Sequence, residues 1–149
     1  MLKLIDGVLV DVSDYPQEVY TISLEEVITR LKQLKYVPCE EDTDQITFEL
    51  NKIVNYVLNY CNIKTIPTIL NPRIIDRVCA EFLYYKKNCG ALDMFDFDYA
   101  IKSIKEGDTQ IQYAVGDSGD TPESRFDAFL NKLERGFDKW ITPHRAIRW

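Results

Sequence analysis

Apolar residues recur at helical spacing in two long stretches of the chain, residues 43–63 and residues 72–90. In the first stretch the apolar positions are Ile46, Leu50, Ile53, Val54, Val57, Leu58 and Cys61. In the second stretch they are Ile74, Ile75, Val78, Cys79, Phe82 and Leu83. Stripes of this width are typical of helices that bury one face. Because the connection is short and contains Pro67, the pattern predicts two core helices packed antiparallel as a hairpin.

Two further helices are predicted on either side of this hairpin. Ser23 and Glu26 form a capping box, which predicts a helix from Leu24 to about Lys35. Thr121, followed by proline, predicts the start of a last helix. Its apolar stripe is Phe126, Phe129, Leu130, Leu133, Phe137, Trp140 and Ile141, with Gly136 inside the helix and Pro143 ending it. Residues 96–105 fit a short helix, although 100–105 also fit an extended run.

Two segments have the alternation of β-strands. Asp6-Gly7 lies between two runs rich in branched residues, and this arrangement predicts a β-hairpin at the start of the chain. Residues 109–115 alternate between apolar and polar positions and are predicted to form one strand. The expected fold is therefore mainly α, a bundle of about five helices with a small β element.

The predicted organisation has three parts. Residues 1–21 form the hairpin and a connector, residues 22–142 form the helical domain that includes strand 109–115, and residues 143–149 form a tail. With 149 residues, the chain can bury a core without disulfides or metals.

The charge of the chain is unevenly distributed. The net charge is −6; residues 1–120 carry 12 basic and 20 acidic side chains, while residues 121–149 carry 6 and 4. An acidic body argues against general binding to nucleic acid, which depends on neutralising phosphates. It also predicts modest repulsion between identical copies. The acidic run 40–42 precedes the first core helix and is interpreted as acidic groups that favour the positive end of the helix dipole.

The residues that could carry metal or thiol chemistry form no recognisable site. The four cysteines contain no CxxC pair, and His144 is the single histidine. Zinc sites need paired ligand spacings that are missing here. Cys61 and Cys79 fall on the apolar stripes and are expected to be reduced core residues. We expect no metal and no cofactor.

A metal-dependent hydrolase is an alternative function that the sequence does not favour. Asp93, Asp96 and Asp98 could in principle hold a metal ion, and the last two resemble the start of a phosphatase loop. That chemistry places its aspartates at the tip of a buried strand, and none is predicted before them. The spacing also lacks the glycine of a calcium loop. We therefore predict that the protein is not an enzyme.

Several short motifs together resemble a known family, the head–tail connector (adaptor) proteins of long-tailed bacteriophages and related tail-like particles. The resemblance covers about residues 22–149. It rests on the runs 24–34, Asn59-Tyr60-Cys61-Asn62-Ile63, Ile66-Pro67, 73–83, 104–109 and Arg145-Ala146-Ile147-Arg148-Trp149. It implies a ring, commonly twelvefold, that docks under the portal protein and lines a channel through which DNA passes without sequence-specific binding.

The resemblance also implies partners and a location. The partners are the portal protein, a tail-side connector or terminator protein and further copies of the chain, with no membrane. The location is the host cytoplasm during assembly and the virion neck afterwards. A free-standing cytosolic helical interaction module is the alternative function. In an assembled particle, strand pairing between subunits is expected at Leu4, Val8, Val10, Ile111, Tyr113 and Val115.

The tail after Pro143 is the predicted docking element. Proline cannot continue the preceding helix, so the tail must leave in a new direction. Arginine and tryptophan are enriched at the centres of interfaces. The expected docking residues are Arg145, Ile147, Arg148 and Trp149. The alternative is that the tail folds back onto its own bundle.

Overall fold

The computed structural model describes residues 22–92, 95–97, 100 and 121–147, together with the backbone of two short strands. These strands, β1 (Leu2–Ile5) and β2 (Val8–Asp11), pair antiparallel with Ile5 opposite Val8. The segment 109–115, which was predicted to form a strand, lies outside the described residues, and so do most of residues 96–105. The pairing of Ile111, Tyr113 and Val115 with Leu4, Val8 and Val10 therefore stays a prediction.

Helices dominate the described part of the chain. They are α1 (Leu24–Gln33), α2 (Asp42–Cys61), α3 (Asn71–Asn88), α4 (Pro122–Glu134) and α5 (Phe137–Ile141). Short 3-10 turns at Thr68–Leu70 and Thr142–His144 precede α3 and follow α5. The prediction of a mainly helical bundle is confirmed.

The central pair α2 and α3 is antiparallel, as the hydrophobic pattern predicted. Lys86, near the end of α3, contacts Asp42 at the start of α2, whereas Lys52, further along α2, contacts Glu81, which lies further back along α3. Both apolar stripes are buried except for Leu58 and Ile75, which are partly buried, and they share one core with α1, α4 and α5. Cys61 and Cys79 belong to this core as free thiols, which confirms their predicted burial.

Local capping explains why the outer helices begin where they do. The Ser23 hydroxyl accepts the Glu26 amide hydrogen at 3.3 Å, and the Ser23 amide donates to the Glu26 carboxylate at 2.7 Å. At α4, the Thr121 hydroxyl accepts from the Ser124 amide at 3.2 Å. Both caps satisfy amides that have no partner within the helix, as the sequence predicted.

The last helix breaks at Gly136, so the prediction of one continuous helix was wrong there. Gly136 adopts a left-handed backbone with φ of 78° and begins α5. Glycine reaches this region without the clash that a Cβ atom causes. The break rotates the following residues, so that Phe137 and Ile141 are buried while Trp140 is 52% exposed. Trp140 is therefore a surface residue rather than part of the core stripe.

Replacing Gly136 with alanine should lower the free energy of unfolding by about 1 kcal/mol, because an L-residue pays for the left-handed backbone. No atom lies within 4 Å of the position that the new Cβ would take, so crowding does not contribute. Gly136→Asn is the control, since asparagine tolerates this conformation better. Urea unfolding of both variants checks the prediction, and equal stability of Gly136→Ala and the unmodified protein would contradict it.

Candidate interaction surfaces

Cationic side chains collect where α2 ends, α3 begins and α5 lies. This basic end consists of Lys64, Arg73, Lys139 and Arg145. The Arg73 guanidinium carbon lies 4.1 Å from the centre of the Trp140 ring, and that of Arg145 lies 5.1 Å from the Tyr60 ring. Within residues 22–92, 95–97, 100 and 121–147, none of the four cations has a carboxylate partner. The two arginines are therefore held on aromatic faces with their donors available.

A network of tyrosines holds α5 against α2 beneath these arginines. Tyr56 donates a hydrogen bond to the Asp138 carboxylate at 2.7 Å, and the Tyr60 and Thr142 hydroxyls lie 3.0 Å apart. The Tyr56 and Tyr60 rings stack with their centres 5.7 Å apart. The hydrogen bond to Asp138 raises the pKa of Tyr56, and burial adds to the effect. The basic end is thus built on a connected, hydrogen-bonded platform.

The predicted docking segment begins on this platform. The Ala146 amide donates to the Cys61 carbonyl at 2.7 Å, and the Asn62 side-chain amide donates to the Ala146 carbonyl at 3.2 Å. Residues 145 and 146 therefore run along the end of α2 in their own chain. Ile147 follows with 76% of its surface exposed. Arg148 and Trp149 lie outside the described residues, and docking by this segment stays a prediction.

The opposite end of the bundle is acidic. Glu40, Glu41 and Asp44 are exposed around the start of α2 and define the acidic end. Asp42 differs from them, because only 3% of its surface is exposed. Asp42 lies in the first turn of α2, where the sequence placed an acidic group at the positive end of the helix dipole, and its burial was not predicted. Its carboxylate is a buried structural group.

Three donors surround the Asp42 carboxylate. The Tyr36 hydroxyl donates to it at 2.7 Å, the Cys39 amide at 3.0 Å and the Lys86 ammonium group at 2.8 Å. Burial raises the pKa of Asp42, but the hydrogen bonds from Lys86, Tyr36 and Cys39 outweigh it and bring the pKa down to about 2. Together these contacts attach the loop before α2 to the end of α3.

The same cluster shifts its other two titratable groups. Burial, with the hydrogen bond to Asp42, raises the pKa of Tyr36 to about 12. The hydrogen bond to Asp42 raises the pKa of Lys86. Both shifts favour the protonated forms that donate to the carboxylate. A buried, fully partnered carboxylate of this kind stabilises the fold and is closed to a substrate.

The residues of the hydrolase hypothesis are only partly described. Asp93 and Asp98 lie outside the described residues, and Asp96 is exposed before the helical residue Phe97. In the part of the chain that the structure describes, no three histidine, cysteine, aspartate or glutamate side chains are grouped as a metal site would require. His144 lies in the 3-10 turn after α5.

Large apolar side chains are exposed at both ends of α2. Val37 and Phe48 lie beside the acidic end, with 75% and 60% of their surfaces exposed. Ile69 and Trp140 lie beside the basic end and are also exposed. With 20 residues, α2 separates the two ends by about 30 Å. The described part of the molecule is thus a helical bundle with exposed apolar side chains at both of its ends.

Comparison of the chain with protein-family models, curated proteins and solved structures finds no match. Among the described helices, none combines the length and the apolar character that crossing a membrane requires.

Proposed function

We propose that this protein is a structural head–tail connector, or adaptor, of a phage or phage-like particle. In this role it forms a ring between the portal protein and a tail-side connector or terminator protein, and DNA passes through the ring. The observation that carries the proposal is the segment 145–147, which is anchored on α2 and presents Ile147 beside the stacked Arg145. The sequence resemblance to connector proteins supports it as well.

The anchoring of this segment favours binding to another protein. The hydrogen bond from the Ala146 amide to the Cys61 carbonyl and the one from the Asn62 side chain to the Ala146 carbonyl already order residue 146, so less conformational freedom is lost on docking. Arg145 is partly fixed by its contact with Tyr60, and a guanidinium on a ring keeps its edge free for hydrogen bonds. An ordered arginine next to an exposed isoleucine resembles the anchors that dominate binding energy at protein interfaces.

The double variant Arg145→Ala/Ile147→Ala tests this function. Loss of interface anchors of this kind typically costs about 2 kcal/mol or more of binding energy. We expect the variant to fail to co-sediment with portal-bearing heads while its melting temperature changes little. Lys32→Ala/Lys132→Ala, two exposed changes elsewhere on the surface, is the control and should still bind. A variant that binds heads as well as the control does would contradict the docking role.

Negative-stain imaging distinguishes the connector from the free-standing interaction module. A connector added to its portal should give an additional ring on the portal axis. An interaction module should leave the portal unchanged, and that result would overturn the proposed function. Measuring metal binding before and after substitution of Asp93, Asp96 and Asp98 tests the hydrolase hypothesis separately.

A further inference from the structure

Two arginines lie on aromatic rings where α5 meets the end of α2. The Arg73 guanidinium carbon is 4.1 Å from the centre of the Trp140 ring, and that of Arg145 is 5.1 Å from the Tyr60 ring. The two rings are joined through the end of α5, because the Tyr60 hydroxyl lies 3.0 Å from that of Thr142, two residues after Trp140. These contacts bring both guanidiniums to one small surface, and we call Arg73 and Arg145 the arginine pair.

The carboxylates nearest to the arginine pair do not neutralise it. Asp138, on α5, accepts a hydrogen bond from a tyrosine hydroxyl instead. Glu25 and Glu26 line a groove with Pro72 between α1 and α3. Arg73 is the next residue of α3, and consecutive helical residues face different ways, so its guanidinium lies over α5. In the part of the chain that the structure describes, no carboxylate pairs with either arginine.

Docking at this surface removes water from the arginine pair. Ile147, which the proposed function places in the interface, lies only two residues after Arg145 and is exposed. A charged group that loses its water without gaining a partner weakens binding. The described residues of the chain supply no carboxylate to either guanidinium. The partner must therefore supply the acceptors.

We propose that the arginine pair binds carboxylates on an acidic segment of the partner protein. The inference rests on the proposed function in that the portal protein is this partner. A guanidinium matches a carboxylate with two parallel hydrogen bonds, and stacking on a ring leaves its edge free to make them. Stacking also restrains both long side chains before docking, so less conformational freedom is lost. Arg73, on α3, thus joins Arg145 as a docking residue.

A protein segment fits this surface better than a nucleic acid, whose phosphates also match guanidinium groups. Ile69, one turn before Arg73, is 73% exposed, and Trp140 and Ile147 are exposed as well. A partner segment with apolar side chains between its carboxylates would cover these residues, as in the apolar centre of a protein interface. A phosphate backbone would leave them in water.

Removal of one charge from the arginine pair tests the inference on particles. Arg73→Gln is the informative variant, because the proposed function gives Arg73 no part in docking. Lys132→Gln is the matched control, since it removes one exposed positive charge from α4. We expect Arg73→Gln to raise the dissociation constant for portal-bearing heads about tenfold, the typical effect of losing a charged hydrogen bond, and the control to bind normally. Circular dichroism melting verifies that both variants are folded.

A lysine variant separates the shape of the guanidinium from its charge. Arg73→Lys keeps the charge but cannot make two parallel hydrogen bonds from one planar group. We expect it to bind heads more weakly than the unmodified protein does and more tightly than Arg73→Gln. Binding as tight as that of the unmodified protein would contradict recognition by the guanidinium.

A peptide probe tests the partner chemistry with purified protein. The probe is a dye-labelled peptide with two leucines between two pairs of glutamates, and the same peptide with glutamines is its neutral control. We expect fluorescence anisotropy to show saturable binding of the acidic peptide that weakens as salt is added. Arg73→Gln should weaken this binding about tenfold, and the neutral peptide should not bind.

The possible failures of the inference and of the connector function are distinguishable. Equal binding of Arg73→Gln and Lys132→Gln to heads, or of the acidic and neutral peptides to the protein, would overturn the inference and leave the connector function standing. Tighter binding of a DNA duplex than of the acidic peptide, lost in Arg73→Gln, would also overturn it. If the acidic peptide binds as expected but heads do not, the connector function fails while the carboxylate site stands.

Discussion

Replacing Asp42 with alanine is expected to lower the free energy of unfolding by about 3–5 kcal/mol, the cost of breaking a buried ion pair. The substitution leaves Lys86 without its carboxylate and removes the acceptor of the Tyr36 hydroxyl and the Cys39 amide. Thermal and urea unfolding measure the effect. Asp44→Ala is the matched control, because Asp44 is exposed on the same helix and should matter far less. Equal losses in the two variants would show that the cluster is not what stabilises this end.

The same carboxylate gives a pH dependence with a defined sign. The pKa of Asp42 falls from 3.8 to about 2 on folding, so its contribution is present above pH 3.8. That contribution is lost as the pH falls from about 4 to about 2. At high pH, the raised pKa of Tyr36 predicts a further loss between pH 10 and about 12. Asp42→Asn removes the charge with little change of shape, so its stability should decline less between pH 4 and pH 2.

Replacing Phe126 with alanine is the second change with a large expected effect, a loss of about 3–5 kcal/mol in unfolding free energy. Phe126 is fully buried on α4, and its ring centre lies 5.3 Å from that of Phe95 and 5.2 Å from that of Phe97. Removing it leaves a cavity and breaks two aromatic contacts between α4 and residues 95–97. Denaturant unfolding monitored by circular dichroism is the measurement.

Phe48→Ala provides the control for Phe126, because the chemical change is the same at an exposed position on α2. We expect its stability to stay within about 0.5 kcal/mol of the unmodified protein. Similar losses at Phe126 and Phe48 would contradict the assignment of Phe126 to the core.

The sequence predicted the helices that have strong local signals. The capping pairs at Ser23 and Thr121 placed the starts of α1 and α4 correctly, because capping depends on residues only a few positions apart. The apolar period placed α2 and α3 within two residues of their observed ends. Their short connection correctly predicted the antiparallel arrangement. In each case the deciding contacts are close together in the sequence.

The features that the sequence did not predict depend on long-range contacts or on backbone conformation. Asp42 belongs to an acidic run at the start of a helix, where an exposed side chain is the usual expectation. It is buried because its carboxylate pairs with Lys86, which is 44 residues away. Gly136 was compatible with a continuous helix, and only its left-handed backbone shows the break.

The four cysteines divide the chain into two classes of thiol reactivity. Cys39 and Cys89 are exposed, whereas burial raises the pKa of the Cys61 thiol and brings that of Cys79 to about 12. Alkylating reagents react with thiolates, so the native protein offers them two sites and withholds two. The Cys61 thiol donates to the Ile141 carbonyl at 3.2 Å, and the Cys79 thiol faces the Val27 carbonyl at 3.8 Å. The rate at which Cys61 is alkylated therefore reports how often α5 detaches. The rate at which Cys79 is alkylated reports how often α1 separates from α3.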